Sequence, residues 1–431
     1  MSLEAPVDAS VWSSVSGEPG AATARRWGVI AGLPIVAFLA ALAHYGARGQ
    51  YVFLLMNEGV DLSGYGTATT GGFFLGVLVF LALTPLLGGG AVAALGLLAT
   101  AVGHGIAGAG GVSVGVVLAN AGRVGLSVGL PCLAARLFLG RREGAIAAIC
   151  VAIYAAVNAG AFLSNLLFGA AGQALGPTPV VLACAALSGV VGLLGLGLPV
   201  AEYLLPAPGP DEGRVAWSPI VLGVSAAALA VGALAWGVDM AATDLGWTLN
   251  DPSTFSSSLA FAANPLGAVV VGVLAAVALA GASAAGFEVP SLGVAGLGLV
   301  VAAVGFALTG LGPSTLLLGQ ALSGAGEPLV WGGFITAMTR GVHRRLAPVG
   351  PLAMQAVSLI TSPLTALVGP TFGMVATLIA AGILAVLGLV ALGAAWPVRS
   401  LLARVWATVP EDGSVPSVAP GADSYGFPAN P

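Results

Sequence analysis

The sequence contains no lysine, and all 13 of its cations are arginine. Charged residues of both signs make up only 7% of its 431 residues, against 58% hydrophobic ones. The mean hydropathy is +1.02. A water-soluble domain has to cover itself with polar groups, so this composition excludes an ordinary globular chain. Cysteine is scarce as well. Cys132, Cys150 and Cys184 stand apart within apolar runs, which argues against a disulfide framework or a metal site. There is no paired-carboxylate, metal-binding or nucleophile constellation and no phosphate-binding loop, so neither an enzyme, an ATP-driven pump nor a bound cofactor is expected. The net charge of −4 comes largely from tails and loops and points to no nucleic-acid partner.

Long apolar runs are what the chain does have, each of about 20 residues, the length that crosses a bilayer as helix. Twelve spans are predicted, at 27–56, 66–88, 91–110, 112–138, 144–170, 178–200, 218–241, 256–281, 290–311, 313–338, 347–369 and 373–396. The weakest boundary is Gly88-Gly89-Gly90, where almost nothing polar separates spans 2 and 3. Residues 397–407 read either as a short amphipathic surface helix or as the end of the last span.

The arginines give the orientation. Arg25 and Arg26 precede span 1, Arg141 and Arg142 follow span 4, and Arg214 follows span 6. Arg340, Arg344 and Arg345 follow span 10, and Arg399 and Arg404 follow span 12. Threading twelve spans alternately puts all of these on one side and Glu58, Asp61, Asp244 and Asp251 on the other. By the positive-inside rule both termini are then cytoplasmic, in a bacterial-type inner membrane. The polar stretch 201–217 is the longest internal loop and divides the spans six and six. The expected organisation is a cytoplasmic tail over 1–26, disordered and unlike a signal peptide, and a six-helix half over 27–200. A linker over 201–217, a second six-helix half over 218–396 and a cytoplasmic tail over 397–431 follow. Two six-helix halves with substrate bound between them is the major facilitator plan.

Several segments are more specific. Span 5 carries Ile153-Tyr154-Ala155-Ala156-Val157-Asn158-Ala159-Gly160-Ala161-Phe162-Leu163-Ser164. It closely resembles the "FYxxINLGAFLS" segment of the proton-dependent oligopeptide transporter family. His44-Tyr45-Gly46-Ala47-Arg48 in span 1 looks like that family's "YYGMR", and Gly129-Leu130-Pro131 in span 4 stands where the family has "GxxKPN". Ala263-Asn264-Pro265-Leu266 is similar to "INPL". Gly326-Glu327-Pro328-Leu329 with Leu346-Ala347-Pro348 resembles "GELxxSP…LAP". The matches run in family order from span 1 to span 10.

The departures fall on the coupling machinery. The family's "ExxER" is replaced by Ala37, Ala40 and Ala41, and its span 4 lysine by Leu130. The charged motif between spans 2 and 3 is reduced to glycines, and the family's extra helix pair between spans 6 and 7 is missing. The resemblance therefore implies the scaffold and the substrate cavity more than the coupling mechanism.

Ionisable groups inside the spans are costly and mark functional sites by default. Glu327 lies near the middle of span 10, where a carboxylate must pair, face a wet cavity or stay protonated. The resemblance implies that it binds a peptide's amino terminus. Arg123, near the middle of span 4, and Arg48, in the outer half of span 1, are its cationic counterparts. Arginine on one half and Glu327 on the other suit a zwitterion. Asp239 is expected at the outer end of span 7, either at the water interface or in a gate pair with Arg48. His44 replaces a family tyrosine and is a candidate proton carrier. Tyr45, Tyr154, Asn158 and Asn264 are expected to hydrogen-bond substrate; interhelical bonding is the structural alternative. His104 reads as a structural hydrogen-bonding residue. Arg136, Arg141, Arg142, Arg340, Arg344 and Arg345 read as topology anchors, with gating contacts to Glu143.

The expectation is a secondary transporter of di- or tripeptides or similar small zwitterions, working by alternating access as a proton-coupled importer. Its partners would be a small peptide-like molecule, protons and membrane lipid, with Glu327, Asp239 and His44 as proton-coupling or gating residues. The alternatives are an exporter of drugs or other metabolites on the same scaffold, and a transporter-like sensor that no longer transports.

Overall fold

In hydrocarbon every backbone polar group must be satisfied within its own segment, and helix does this locally. The computed structural model describes residues 20–57, 59, 62–137, 143–203, 215–249, 257–340, 342–343 and 345–406, without the side chains of 20–27, 62–63, 247–248, 257–261, 358–360, 362–371 and 406. Among the described residues every regular element is helical. The first half contains α1 (Gly20–Asn57), α2 (Leu62–Leu87), α3 (Gly89–Gly108), α4 (Val112–Leu137), α5 (Glu143–Leu175) and α6 (Pro177–Tyr203, interrupted at Leu196). The second contains α7 (Pro219–Thr248), α8 (Ser257–Ala284), α9 (Ser291–Gly310), α10 (Leu316–Thr339) and α11 (Val349–Trp406).

The expected glycine boundary is real. Gly88 has φ 87°, a left-handed conformation that ends α2 and lets α3 begin one residue later. Gly176, with φ 84°, makes the same kind of break between α5 and α6.

Small residues set how closely the helices approach. A methyl group placed on Gly96 of α3 would lie 2.5 Å from the Gly122 carbonyl of α4, and one on Gly115 of α4 would lie 2.7 Å from Ala107 Cβ of α3. The second half repeats the seam. A methyl on Gly298 of α9 would lie 2.7 Å from the Gly326 carbonyl of α10, and one on Gly305 would lie 2.7 Å from the Gly319 carbonyl. The two halves thus use one packing device at corresponding helix pairs, the internal repetition of the major facilitator fold.

Two spans were expected at the C-terminus, and Val349–Trp406 is a single helical element, α11, that turns back on itself. A straight helix of 58 residues would be about 87 Å long, far more than a bilayer. Its contacts show that it goes out and returns. Gly350 lies beside Met338 at the end of α10, and Leu378 lies beside Gly310 at the far end of α9. Leu392 and Ala395 then run back beside Gly296 and Gly293, near the start of α9. α11 therefore supplies both the eleventh and the twelfth crossings. Residues 397–406 extend this helix rather than forming a separate surface helix, and Leu402 is buried against Val215 and Val221.

Ten of the twelve crossings contain a stretch long and apolar enough for a membrane among the described residues. α10 does not, because it carries Gln320, Ser323, Glu327, Thr336 and Thr339, and it is buried almost throughout. The outer helices instead turn large apolar side chains such as Leu86, Leu194, Leu274, Val277 and Leu389 outward.

The remaining differences are helix ends: α1 begins seven residues before the expected start at 27, and α7 runs seven residues past the expected end at 241. The expected tails over 1–19 and 407–431, linker residues 204–214, Glu58, Asp61, Arg141, Arg142, Arg214, Asp251, Arg344 and the side chains of Arg25 and Arg26 lie outside the described residues.

Candidate functional site

Glu327 sits in the middle of α10 with 3% of its surface exposed. Tyr154 of α5 donates its phenol to Glu327 Oε2 at 2.7 Å, and Asn264 of α8 donates Nδ2 to Oε1 at 2.7 Å. The first bond crosses from one half to the other; the second stays within the C-terminal half. The Tyr154 ring is held edge-on to Trp236 of α7 at 5.8 Å and tilted against Trp331 of α10 at 5.6 Å between ring centroids. Trp331 stands one turn after Glu327, so one face of α10 presents both the carboxyl and part of its aromatic wall.

Asp239 is not at a helix end. α7 continues to Thr248, which leaves Asp239 inside the bundle and fully buried. Among the described residues neither of its carboxyl oxygens has a hydrogen-bond partner. With both oxygens unpartnered among the described residues, the expected gate pair with Arg48 is not formed in this state. Arg48 is exposed and interacts with Tyr45, Tyr65 and, more weakly, Asp244, which stands five residues further along α7.

The cationic group lies in the N-terminal half. Arg123 of α4 donates Nη2 to the Tyr45 hydroxyl at 2.7 Å, with its guanidinium carbon 4.5 Å from the Tyr45 ring centroid. Arg48 stands over the same ring at 5.9 Å. Arg123–Tyr45 lies within the N-terminal half, whereas Glu327–Tyr154 joins the two halves. Each charge of opposite sign is held by a tyrosine.

Behind Tyr45, His44 is buried with both ring nitrogens unpartnered. Its ring centroid is 5.6 Å from that of His104, whose Nδ1 is hydrogen-bonded to the Tyr51 hydroxyl. Asn158 is turned onto its own helix, donating to the Tyr154 carbonyl at 3.1 Å. The sequence-predicted residues thus form two connected clusters, with Asn158 beside rather than in them. Among the described residues no group of three or more His, Cys, Asp or Glu side chains is placed to hold a metal ion.

The site is closed on the face that carries the arginines. Leu33, Ala37, Leu130, Leu133 and Ile149 of the N-terminal half share one buried cluster with Trp236, Phe334, Met338 and Met354 of the C-terminal half. Ala37 and Leu130, which replace charged family positions, belong to this seal. At the rim, Glu143 at the start of α5 receives Arg340 from the end of α10 in a salt bridge. It also accepts the Ser291 backbone N–H at 2.7 Å and hydroxyl at 2.5 Å. Glu288 accepts the Gly144 N–H at 2.7 Å, a carboxylate at the α5 N-terminus where the helix dipole favours it. Arg136 pairs with Glu202 at 3.0 Å within the N-terminal half instead of reaching Glu143.

Sequence reasoning had not singled out Trp236, Trp331, Ser291, Glu202 or Glu288. The tryptophans stand three residues before Asp239 and four after Glu327, helical spacings that place them on the same faces. The lone acids at helix ends carry no comparable pattern.

No protein-family model matches the chain, and no curated protein matches it in sequence. Solved structures do match in fold. The human organic anion transporter MFSD10 (TETRAN) is 15% identical with a TM-score of 0.61, covering 84% of this chain and 99% of that one. The major facilitator transporter FucP, in its outward conformation, is 14% identical with a TM-score of 0.62, covering 84% of this chain and 97% of that one. FucP is the fucose:proton symporter of E. coli. A POT family transporter in complex with a thioalcohol-conjugated peptide is 16% identical with a TM-score of 0.58, covering 86% of this chain and 96% of that one. The architecture is that of the major facilitator superfamily.

Proposed function

We propose that this chain is a divergent secondary transporter of the oligopeptide type, moving di- or tripeptides or similar small zwitterions by alternating access. The observation that carries the reading is the pair of tyrosine-held charges, one on each half. Glu327, held by Tyr154 and Asn264, presents a negative site, while Arg123, held by Tyr45, presents a positive one. A zwitterion spanning them would satisfy both ends with charge-assisted hydrogen bonds. A POT family transporter with a bound peptide conjugate among the fold neighbours supports the assignment.

The arginine-bearing face is taken as cytoplasmic, with both termini there. The seal and the Glu143–Arg340 latch then close the inner side, so the state described here loads from outside and import requires the latch to open. Proton coupling is assigned to Asp239 with Glu327. Two carboxyls buried in one bundle do not readily both carry charge, and an incoming ammonium changes which of them holds a proton. A second reading is transport of another organic acid, favoured by Arg48 and Arg123 standing over one tyrosine ring.

The test is uptake of a labelled dipeptide into liposomes containing the purified protein, with and without an inward proton gradient. Accumulation driven by the gradient and lost in Glu327→Gln is the expected result. Absence of any flux in folded protein would overturn the peptide assignment and favour the organic-acid or non-transporting reading.

A further inference from the structure

A cavity of about 480 Å³ opens between α1 and α5, running from Tyr45 toward the ends of both helices on the face opposite the arginines. Among the described residues no charged side chain lines it, but Gln50, Asn57, Ser164, Asn165 and Gln173 do. Four carboxamides and a hydroxyl at one place are unusual in a chain whose other membrane faces are so apolar, since unpaired polar groups there are costly. Ser164 is 1% exposed and its hydroxyl has no partner among the described residues. Gln50 is buried, and its side-chain nitrogen donates to the Phe168 carbonyl at 3.2 Å. Gly172 makes room for it, because a methyl there would lie 2.6 Å from Gln50 Nε2. Phe53 and Phe168 supply apolar wall. Tyr45, which holds Arg123, also lines this cavity, so the cavity adjoins the cationic cluster.

The geometry points to a second subsite here, for an uncharged body rich in hydrogen-bonding groups, either the amides of a peptide backbone or the hydroxyls of a sugar. Carboxamides both donate and accept, so they match either chemistry without needing a charge. The inference rests on the proposed function and deepens it: the substrate's charged ends lie at Arg123 and Glu327, and a neutral branch extends past Tyr45 into this vestibule.

Gly169 lines the cavity with open space around it, so Gly169→Cys gives a reporter that should not disturb packing. Cys150 and Cys184 are buried and Cys132 is half-buried, and protein without the added cysteine supplies the baseline. Labelling by a membrane-impermeant maleimide is followed with N-acetyl-dialanine amide in one arm and a neutral disaccharide in the other. Neither probe carries a charge for Arg123 or Glu327 to bind. At a probe concentration about four times its dissociation constant, labelling should slow about fivefold, following the free fraction of a one-site curve. Adding Asn165→Leu and Gln173→Leu, both exposed positions, should abolish that protection. Protection by the amide alone assigns a backbone, and protection by the disaccharide alone assigns a sugar; either supports the subsite. An unlabelled reporter, no protection by either probe, or protection indifferent to the leucines would overturn it. Protection by a neutral probe alongside failed dipeptide uptake would leave the subsite standing and sink the zwitterion reading alone.

Discussion

Tyr154 donates its phenol to the Glu327 carboxylate at 2.7 Å, joining α5 of the N-terminal half to α10 of the C-terminal half at the depth of the buried charges. Any motion that separates the halves here must lengthen or replace that bond. A substrate ammonium competes for the same carboxylate, so occupancy and the contact between the halves are linked. Tyr154→Phe should retain the fold, because the ring stays between Trp236 and Trp331. Losing a hydrogen bond to a charged group costs about 1.5–3 kcal/mol, so Tm should fall while the dipeptide, freed of its competitor, binds about tenfold or more tightly. Titration calorimetry beside thermal unfolding checks both.

Asp239 should matter for accumulation more than for passage. Its oxygens have no partner among the described residues, so Asp239→Asn removes a proton-carrying group without breaking a hydrogen bond described in this state. Gradient-driven accumulation should be lost while exchange of labelled for unlabelled dipeptide across the membrane continues. Equal loss of both modes would place Asp239 in substrate binding.

The latch at the arginine-bearing face predicts a change in state populations. Glu143→Gln weakens the bond to Arg340 and those from Ser291, and breaking a buried pair costs about 3–5 kcal/mol. The population should move toward a form open on that face. A cysteine at Ala134, fully buried in the seal, should then label several-fold faster than in protein with Glu143 intact.

Restoring the missing ExxER-type motif should fail for packing reasons. Ala37, Ala40 and Ala41 are all buried, and Ala41 Cβ would lie 2.9 Å from a methyl placed on Gly160 of α5. Ala41→Arg would force a long guanidinium into that contact, adding burial of an unpaired charge to an overpacking cost of about 1–3 kcal/mol. A lowered Tm or loss of folded protein is expected, and Gly160→Val should lower Tm for the steric part alone.

The spans and the depth of Glu327 and Arg123 were legible because long apolar runs and rare ionisable residues are local signals. Gly88 was legible for a related reason, as glycine is the residue that accepts its positive φ. Asp239 was misplaced because Ala241 to Trp247 mixes polar and apolar residues, which hid the continuation of α7 to Thr248. The double crossing of α11 was visible as two apolar runs, whereas its helical continuity was not, since the Gly369-Pro370 pair reads as a break. The latch was only half legible. Glu143 and the arginines stand out, but Ser291 and Glu288 meet them from distant segments, and local patterning carries no such information. The carboxamide vestibule was hidden for the same reason, being built from α1 and the far end of α5 together.

The central claim is that Glu327 and Arg123 receive opposite ends of one small molecule. It is tested most directly by measuring Kd for a dipeptide, its N-acetylated form and its C-terminal amide, in the unmodified protein, Glu327→Gln and Arg123→Gln. The account predicts that Glu327→Gln weakens the free dipeptide and the amide but leaves the acetylated form nearly unchanged. Arg123→Gln should weaken the free dipeptide and the acetylated form but spare the amide. Losses that do not depend on which end of the ligand is blocked would contradict it.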